Sequence, residues 1–355
     1  MTQRVWRRPP GSPTLTQIAR AAGVPVPVVS KVLNGRSDVS PSVRDAVASH
    51  LREAGYAPAP PATASGPSAL LDLVMSGVEG TWENTMFSGI EGVASEQGLD
   101  VVVVLAREDV PEERDWIQRL IDRGSRGAVL ALVAPTTAEY RRLTAAGVRL
   151  VALDPHKPIY GTIPTVGASH WTGGRQAAEH LIALGHERFG IVAGTPRHQY
   201  SQARVDGFRS ALATHGLDGN TLAVEYGEWH RTDAAEAARV LLDQPDQPTA
   251  IFACSDRMAL GVFDAAAERG LRVPRDLSVV GFDDLPEARW LSPGLTTVRQ
   301  PVREMAELAA QMLLRLIAGE ELPVPRVELQ TRLIERGSTS TRLAGTAAPA
   351  DDSDD

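Results

Sequence analysis

Apolar positions recur every three to four residues near the start of the chain and predict three short helices. The first helix is predicted to begin at Leu15, because Thr14 and Gln17 have capping-box spacing, and to end at Gly23. A third is predicted from Pro41, behind an N-cap serine. The apolar stripes are Leu15, Ile18, Ala19 and Ala22, then Val28, Val29, Val32 and Leu33, and finally Val43, Val47 and Leu51. Two helices joined by a short turn that contains glycine predict a helix-turn-helix.

From residue 70 onward, the pattern changes to short apolar runs separated by amphipathic helical segments. The runs fall at 70–75, 101–106, 128–133 and 148–153, and in a second series at 189–194, 249–254 and 277–282. The helical segments include 84–97, 111–123, 171–184, 202–215, 232–243 and 256–269, with a last helix at 301–318 before a polar strand region at 326–335. Alternating strands and helices form a parallel sheet with helices on both faces. The two series therefore predict an α/β protein with two lobes.

These patterns divide the chain into five segments. The expected segments are a disordered tail at 1–13, a helix-turn-helix domain at 14–57, a Pro-rich linker at 58–69, a two-lobed domain at 70–338 and a disordered acidic tail at 339–355. Lobe 1 is expected at about 70–160 and 292–324, and lobe 2 at about 161–291 and 325–338. A length of 355 residues suits two or three domains.

The cysteine content and the apolar segments of the sequence indicate the cellular compartment of the protein. Cys254 is the single cysteine, which excludes an intramolecular disulfide and suits a reducing cytoplasm. The sequence has neither the apolar segment of a signal peptide nor a run of about 18 apolar residues that could span a membrane. We therefore expect a cytoplasmic protein with no membrane partner.

The distribution of charge separates the first 60 residues from the rest. They hold eight basic and three acidic side chains, a balance of +5, whereas the whole chain carries −8 and the remainder therefore −13. A basic segment that contains a helix-turn-helix predicts DNA binding by that part of the chain alone. A solvated charged surface without a partner is the alternative interpretation.

Residues 14–56 contain an ordered series of motif positions, namely Leu15, Ile18, Ala19, Ala22, Gly23, Val24, the run VSKVLNG at 29–35, Val39, Ser40, Arg44, Gly55 and Tyr56. With these residues the segment resembles the DNA-binding headpiece of the LacI/GalR family of transcriptional regulators. The two-lobed part resembles the periplasmic-binding-protein-like effector domain of the same family in the phrases ALGHERFGIVAG, SQARVDGFRSAL, CSDRMALGVFDAAAERGLRVPRDLSVVGFDDLP and LTTVRQP. The resemblance covers about 14–338. It implies a transcriptional repressor that binds a double-stranded DNA operator as a homodimer and is controlled by a small carbohydrate effector between its lobes.

The resemblance also implies which headpiece residues contact DNA. Val26, Pro27 and Lys31 match the positions that read bases in the major groove, and Lys31 alone among them carries a charged donor. The other expected contacts are Thr14, Thr16, Ser30, Asn34 and Arg36. Pro25 and Val28 replace a serine cap and a threonine that are usual in the family, and Ser65 stands where a hinge leucine is usual. These departures support an alternative: a cytoplasmic sugar receptor whose degenerate headpiece binds no specific operator.

The expected effector site lies beyond the carboxyl ends of the strands, where open parallel sheets bind ligands. Sugars are held by carboxylates and guanidinium groups, which pair with hydroxyls, and by aromatic faces. By resemblance, Arg204, Asp283 and Trp229 are effector-binding residues, with surface exposure or core packing as the competing interpretations. The other candidates are Trp82, Glu83, Asp154, Trp171 and Ser255, for which packing or exposure is the alternative.

Motifs of the common enzyme classes are absent from the sequence. There is no GxGxxG fingerprint after a strand, no phosphate-binding GxxxxGKS/T loop, no GxSxG elbow and no HExxH metal motif. We therefore expect no catalytic residue, metal or cofactor. An enzyme with a fused helix-turn-helix, such as a sugar kinase, is the weakest alternative.

Overall fold

A computed structural model describes residues 6–7, 13–33, 39–54, 57–58, 70–78, 80–106, 115–159, 162–219 and 222–342. The chain divides into two compact units, residues 1–68 and 69–355. None of the helices in the described ranges is long and apolar enough to cross a membrane.

The first unit contains the three predicted helices, α1 (Leu15–Ala21), α2 (Val26–Leu33) and α3 (Pro41–Glu53). The capping box is present, because the backbone N–H of Thr14 donates to Gln17 Oε1 at 2.7 Å and Thr14 Oγ1 accepts from the backbone N–H of Gln17 at 3.4 Å. Gly23 has φ +65°, the left-handed conformation that the turn requires. The buried core consists of Ile18, Ala19, Val29, Val32, Val47 and Leu51.

A short antiparallel pair flanks these helices. Strand β1 (Trp6–Arg7) pairs with β2 (Ala57–Pro58), with Trp6 opposite Pro58. The expectation of a tail without structure over 1–13 is therefore wrong at two residues, because two backbone partners far apart in the sequence meet there. Pro58, predicted to open the linker, belongs to this pair, and residues 59–69 lie outside the described residues.

Two six-stranded sheets form the second unit. The first sheet has the order β13-β7-β6-β5-β3-β4 and is parallel throughout. The second has the order β14-β12-β11-β10-β8-β9 and is parallel except for β14. The strands are β3 (Leu70–Met75), β4 (Asp100–Leu105), β5 (Gly127–Ala131), β6 (Arg149–Leu153), β7 (Thr165–Ala168), β8 (Phe189–Ala193), β9 (Ala223–Tyr226), β10 (Ala250–Ala253), β11 (Ser278–Asp283), β12 (Thr296–Arg299), β13 (Arg326–Leu329) and β14 (Arg332–Ile334).

Nine helices are described in this unit. They are α4 (Thr81–Glu96), α5 (Trp116–Arg123), α6 (Thr137–Ala145), α7 (His170–Ala183), α8 (Gln199–Thr214), α9 (Arg231–Leu242), α10 (Asp256–Glu268), α11 (Glu287–Trp290) and α12 (Val302–Ile317). Apolar residues of α4 and α12 share one core with the first sheet, and those of α5 and α6 share another. A third core joins the second sheet to α7, α8, α9 and α10.

The chain passes between the two sheets three times, and this corrects the predicted lobe boundaries. β7 lies in the first sheet although 161–291 was assigned to lobe 2. β12 lies in the second sheet although 292–324 was assigned to lobe 1, and β13 lies in the first although 325–338 was assigned to lobe 2. A short strand next to a crossover pairs with partners distant in sequence, so its local pattern does not indicate which sheet it joins.

The packed part of the chain continues past residue 338. The backbone N–H of Ser340 donates to Ser278 Oγ at 3.1 Å, and that of Arg342 donates to the carbonyl of Leu184 at 2.9 Å. The predicted tail at 339–355 is therefore wrong for residues 339–342, which hydrogen bonds tie to β11 and to the end of α7. Residues 343–355 lie outside the described residues.

Candidate functional site

A cleft of about 1040 Å³ lies between the two sheets of the second unit. The residues that line it follow the carboxyl ends of strands from both sheets. The polar, charged and aromatic lining includes Trp82, Glu83, Trp116, Asp154, Tyr200, Arg204, Trp229, Ser255 and Asp283. This is the position at which open parallel sheets bind ligands.

Arg204 on α8 makes several hydrogen bonds at one end of the cleft. We call this end, formed by Arg204, Asp283 and Trp229, the inner end. Its side chain is almost fully buried, and its guanidinium donates to the carbonyl of Cys254 and, at 3.3 Å, to Gln300 Oε1. A guanidinium has five N–H donors and no acceptor, so one buried arginine can orient several acceptors at once. Arg204 thereby connects the end of β10 with the residue that follows β12.

His170, at the start of α7, links Arg204 to the first sheet. Arg204 Nε donates to His170 Nδ1 at 3.3 Å, and His170 Nε2 lies 2.8 and 3.0 Å from the two carboxylate oxygens of Asp154. Gln300 Nε2 donates to Asp154 Oδ2 at 3.0 Å and closes the ring of contacts. Asp154 follows β6, so these four side chains join both lobes at the back of the cleft.

Aromatic rings surround the Arg204 guanidinium. Its carbon lies 3.7 Å from the ring centroid of Phe282, 5.6 Å from that of Trp229 and 5.9 Å from that of Tyr200. Stacking on aromatic faces is a property that distinguishes arginine from lysine. Burial raises the pKa of the Tyr200 hydroxyl, so Tyr200 remains neutral.

Asp283, the last residue of β11, faces Arg204 with an oxygen that has no hydrogen-bond partner. Arg204 Nη2 lies 3.6 Å from Asp283 Oδ1, within ion-pair range, but Oδ1 is buried without a hydrogen bond. Burial raises the pKa of Asp283 to about 7, against the opposing effect of Arg204, while nearby Glu287 raises it further. A buried unsatisfied acceptor costs free energy that a ligand hydroxyl could recover.

Trp229 forms the wall of the cleft beside Arg204. Its ring is nearly parallel to that of His198, at an angle of 12°, and its Nε1 donates to His198 Nδ1 at 3.0 Å. A Cβ on Gly194 would lie 1.9 Å from the Trp229 ring, so only glycine allows the indole to occupy this place. The orientation of Trp229 is therefore fixed by its neighbours.

Close contact between α7 and α8 positions His170 and Arg204. A Cβ on Gly174 would lie 1.9 Å from the carbonyl oxygen of Arg204, and a Cβ on Gly207 would lie 1.9 Å from that of Trp171. Glycine at both positions lets the two helix backbones touch. This contact sets the distance across which Arg204 reaches His170.

Residues with strained backbone cluster around the cleft. In the described ranges, the non-glycine residues with positive φ are Leu132, Asp154, Glu228, Trp229, Asp283 and Asp284, and all but Asp284 line the cleft. Such conformations cost about 1–3 kcal/mol each and concentrate at functional sites. Each residue lies in or just after the end of a strand, at the edge of the sheet that borders the cleft.

The structure brings seven of the eight sequence-predicted effector residues together. Trp82, Glu83, Asp154, Arg204, Trp229, Ser255 and Asp283 line the cleft. Ser255 also accepts a hydrogen bond from the backbone N–H of Met258 at 3.1 Å and so caps α10. The prediction for Trp171 is wrong: its side chain is 43% exposed, lies against Arg175 and does not line the cleft.

Sequence reasoning missed Gln300, Tyr200 and His198 as cleft or network residues. Gln300 is buried between Arg204 and Asp154, which are distant from it in sequence. The sequence feature that could have identified Gln300 is its position directly after a strand, beside a crossover between the sheets. Tyr200 lies one turn before Arg204 on α8, so helical periodicity could have placed it near Arg204, whereas His198 precedes α8 and is six residues from Arg204, off the same face.

The charges of the cleft are mixed, with an excess of carboxylates. Seven Asp or Glu and four Lys or Arg side chains line it, together with four Trp or Tyr rings. This set suits a neutral molecule with many hydroxyls better than an anion. No group of three or more His, Cys, Asp or Glu side chains among the described residues is placed to hold a metal ion.

In the first unit, the predicted DNA contacts lie on and around α1 and α2. Thr16, Val26 and Pro27 are exposed, while Ser30 and Lys31 are half-buried on α2. Thr14 is exposed, but its hydroxyl takes part in the capping box. Asn34 and Arg36 lie outside the described residues.

Comparison with known proteins agrees with both units. Residues 14–59 match the family model described as bacterial regulatory proteins, lacI family, and residues 178–339 match a periplasmic binding protein-like domain. The transcriptional regulator CelR of Thermobifida fusca is 32% identical over 92% of this chain and 98% of its own. The solved complex of CelR with cellobiose has TM-score 0.71 and 31% identity, covering 92% of this chain and 99% of the other. A lac repressor dimer bound to operator and an anti-inducer has TM-score 0.69 and 28% identity, covering 93% of this chain and 99% of the other.

A helix-turn-helix unit followed by a two-lobed domain with a polar cleft defines a DNA-binding transcriptional regulator. The chain belongs to the LacI family of bacterial regulatory proteins.

Proposed function

We propose that this regulator is a transcriptional repressor whose operator binding is controlled by a small neutral carbohydrate held between its lobes. The observation that carries the proposal is the inner end of the cleft, where buried Arg204 faces an unsatisfied oxygen of Asp283 beside the Trp229 ring. A sugar hydroxyl can donate to that oxygen, and the C–H face of a sugar ring can stack on the indole. The cellobiose complex of CelR is consistent with this class of ligand.

The network of Arg204, His170, Asp154 and Gln300 supports coupling between ligand and lobe arrangement. These four side chains come from both lobes and from two crossovers, so a ligand that contacts Arg204 and Asp154 acts on both lobes. An effector shifts a conformational equilibrium only by its difference in affinity for the two arrangements. A change in lobe arrangement would then alter how two headpieces of a homodimer fit a palindromic operator.

A DNA-binding repressor acts where the chromosome lies, so we propose the cytoplasm as its location. We also propose that the cleft binds its ligand without chemical turnover. The carboxylate of Asp154 is already hydrogen bonded to His170 and Gln300. The relatives named above are regulators or repressors.

The experiment is a thermal-shift screen of the full chain against monosaccharides and disaccharides. Ligand binding to the folded state raises the midpoint by mass action. We expect a shift with at least one sugar and no shift with the same sugar in the Arg204→Ala variant. If no sugar changes the midpoint, the carbohydrate proposal fails.

DNA binding is tested with fragments selected by the protein from a random-sequence pool. Fluorescence anisotropy with and without the active sugar should then give different dissociation constants. If selected and random fragments bind equally while a sugar still binds, the chain is a sugar receptor with a degenerate headpiece.

A further inference from the structure

The cleft extends well beyond the residues that surround Arg204. Asp154 follows β6, and Trp82 and Trp116 begin the helices that follow β3 and β4. In the first sheet, β4 lies three strands from β6. Neighbouring strands are about 4.8 Å apart, so this side of the cleft runs for roughly 14 Å. That length exceeds a single pyranose ring.

The second sheet forms the opposite side of the cleft. Asp283 ends β11, and Glu228 follows β9, three strands away, while the ring of the next residue, Trp229, reaches back to Arg204. The cleft volume of about 1040 Å³ lies at the upper end of the range for small-molecule sites, about 300–1,000 Å³. One sugar ring at Arg204 would leave most of this space filled with water.

The two ends of the cleft differ in chemistry. At the inner end, Asp283 offers an unpartnered buried oxygen. At the outer end, Asp115 already accepts from the backbone N–H of Ile117 and pairs with Arg142 at 2.7 Å, and Glu139 accepts from the backbone N–H of Thr136. The outer end therefore offers aromatic surface more than uncommitted hydrogen-bonding groups.

Trp82 and Trp116 supply that surface. Each is half-buried, packs on a different core of the first lobe and also lines the cleft. An indole anchored from behind presents a fixed face to a ligand without losing much side-chain entropy on binding.

We propose that the effector is a chain of at least two linked sugar rings, with one ring at Arg204 and Asp283 and the next against Trp82 and Trp116. This inference rests on the proposed carbohydrate function. Hydrogen bonds recognise the inner sugar ring, whereas the outer ring binds mainly by stacking on the indoles and by excluding water from their faces.

Isothermal titration calorimetry of the full chain tests this inference. The probes are glucose, galactose, mannose, xylose and ribose, together with cellobiose, maltose, trehalose, lactose and xylobiose. We expect one disaccharide to bind at least about tenfold more tightly than each of its component sugars, which is the scale of one good aromatic contact. In Trp116→Leu and Trp82→Leu, which keep an apolar side chain in the core, that advantage should shrink to within about threefold.

Trp171→Leu is the matched control, because Trp171 is exposed and lies outside the cleft. It should keep the full advantage of the disaccharide. A monosaccharide that binds as tightly as every disaccharide containing it overturns the two-ring inference and leaves the proposed function standing. An unchanged advantage in both cleft variants also overturns it. Absence of binding by all ten sugars contradicts the proposed function itself.

Discussion

Arg204 Nε donates a hydrogen bond to Nδ1 of His170 across 3.3 Å. Because arginine is only a donor, His170 Nδ1 must accept, and the imidazole proton must lie on Nε2. That proton points at Asp154, whose oxygens lie 2.8 and 3.0 Å away. The pair therefore fixes one tautomer of a buried histidine and ties an effector-facing arginine to a carboxylate of the other lobe.

Replacing His170 by phenylalanine should lower the free energy of unfolding by about 1–3 kcal/mol. The ring volume is kept, but buried Asp154 loses a donor and Arg204 Nε loses its acceptor. Urea denaturation measures the change. The control His215→Phe, at the exposed residue just after α8, loses only a local hydrogen bond to the carbonyl of Ala211 and should change the free energy of unfolding by less than about 1 kcal/mol. In the wild type, ¹⁵N NMR should show an unprotonated Nδ1 for His170, and a protonated Nδ1 near neutral pH would contradict the network.

The pKa of Asp283 predicts a pH dependence of stability. Burial raises this pKa from 3.8 to about 7, so between these values the folded chain binds more protons at Asp283 than the unfolded chain does. The contribution of Asp283 is therefore fully present below pH 3.8 and is lost as pH rises toward 7. Its slope is at most about 1.4 kcal/mol per pH unit.

Asp283→Asn removes this contribution, because the amide does not titrate. The difference in unfolding free energy, variant minus wild type, should increase from pH 4 to about pH 7 and then level off. Burial lowers the pKa of His186, which remains in the variant and cancels in the difference. Asp256 does not cancel, because the charge of Asp283 adds to burial in raising its pKa, so the difference reports the two carboxyl groups together. Parallel stability profiles would show that Asp283 titrates normally in the folded state.

Gly174→Ala should destabilise the protein by about 1–3 kcal/mol. Its Cβ would overlap the carbonyl oxygen of Arg204, and the backbone there cannot yield as a flexible side chain can. The matched control is Gly92→Ala on α4, where a Cβ meets nothing within 4 Å. That change should stabilise by about 0.5–1 kcal/mol, because alanine loses less entropy than glycine in a helix. Thermal denaturation compares the two, and equal effects would contradict the α7–α8 contact.

Local patterns were sufficient to predict most helices and strands, but not α6 or α11. The spacing of Thr14 and Gln17 predicted the capping box, and Gly23 the turn, since these contacts lie within a few residues. Asp154 and Asp283 were expected at the carboxyl ends of strands, and both line the cleft. This was predictable because alternating strands and helices form parallel strands, whose carboxyl ends meet at one edge of the sheet.

The features that local sequence patterns did not predict depend on contacts between residues that are far apart in the sequence. The place of Gln300 between Arg204 and Asp154 follows from two crossovers, and no local pattern encodes these crossovers. Trp171 was misassigned for a geometric reason. Successive residues on a helix point about 100° apart, so Trp171 faces solvent while His170 beside it is buried in the network.

Lys31 is the one charged side chain among the three proposed base-reading positions. In Lys31→Ala, binding to selected operator DNA should weaken by about 1–3 kcal/mol, and the preference at one base position should relax. Arg20→Ala is the matched control, since it removes one exposed positive charge from α1 of the same unit. Loss of a phosphate contact weakens binding to all sequences alike and lowers the slope of log affinity against log salt by about one. Anisotropy titrations at several salt concentrations, with selected and random duplexes, separate the two effects. If Lys31→Ala behaves like Arg20→Ala, weakening both duplexes equally, then Lys31 contacts only the backbone and sequence reading must rest on other residues of the headpiece.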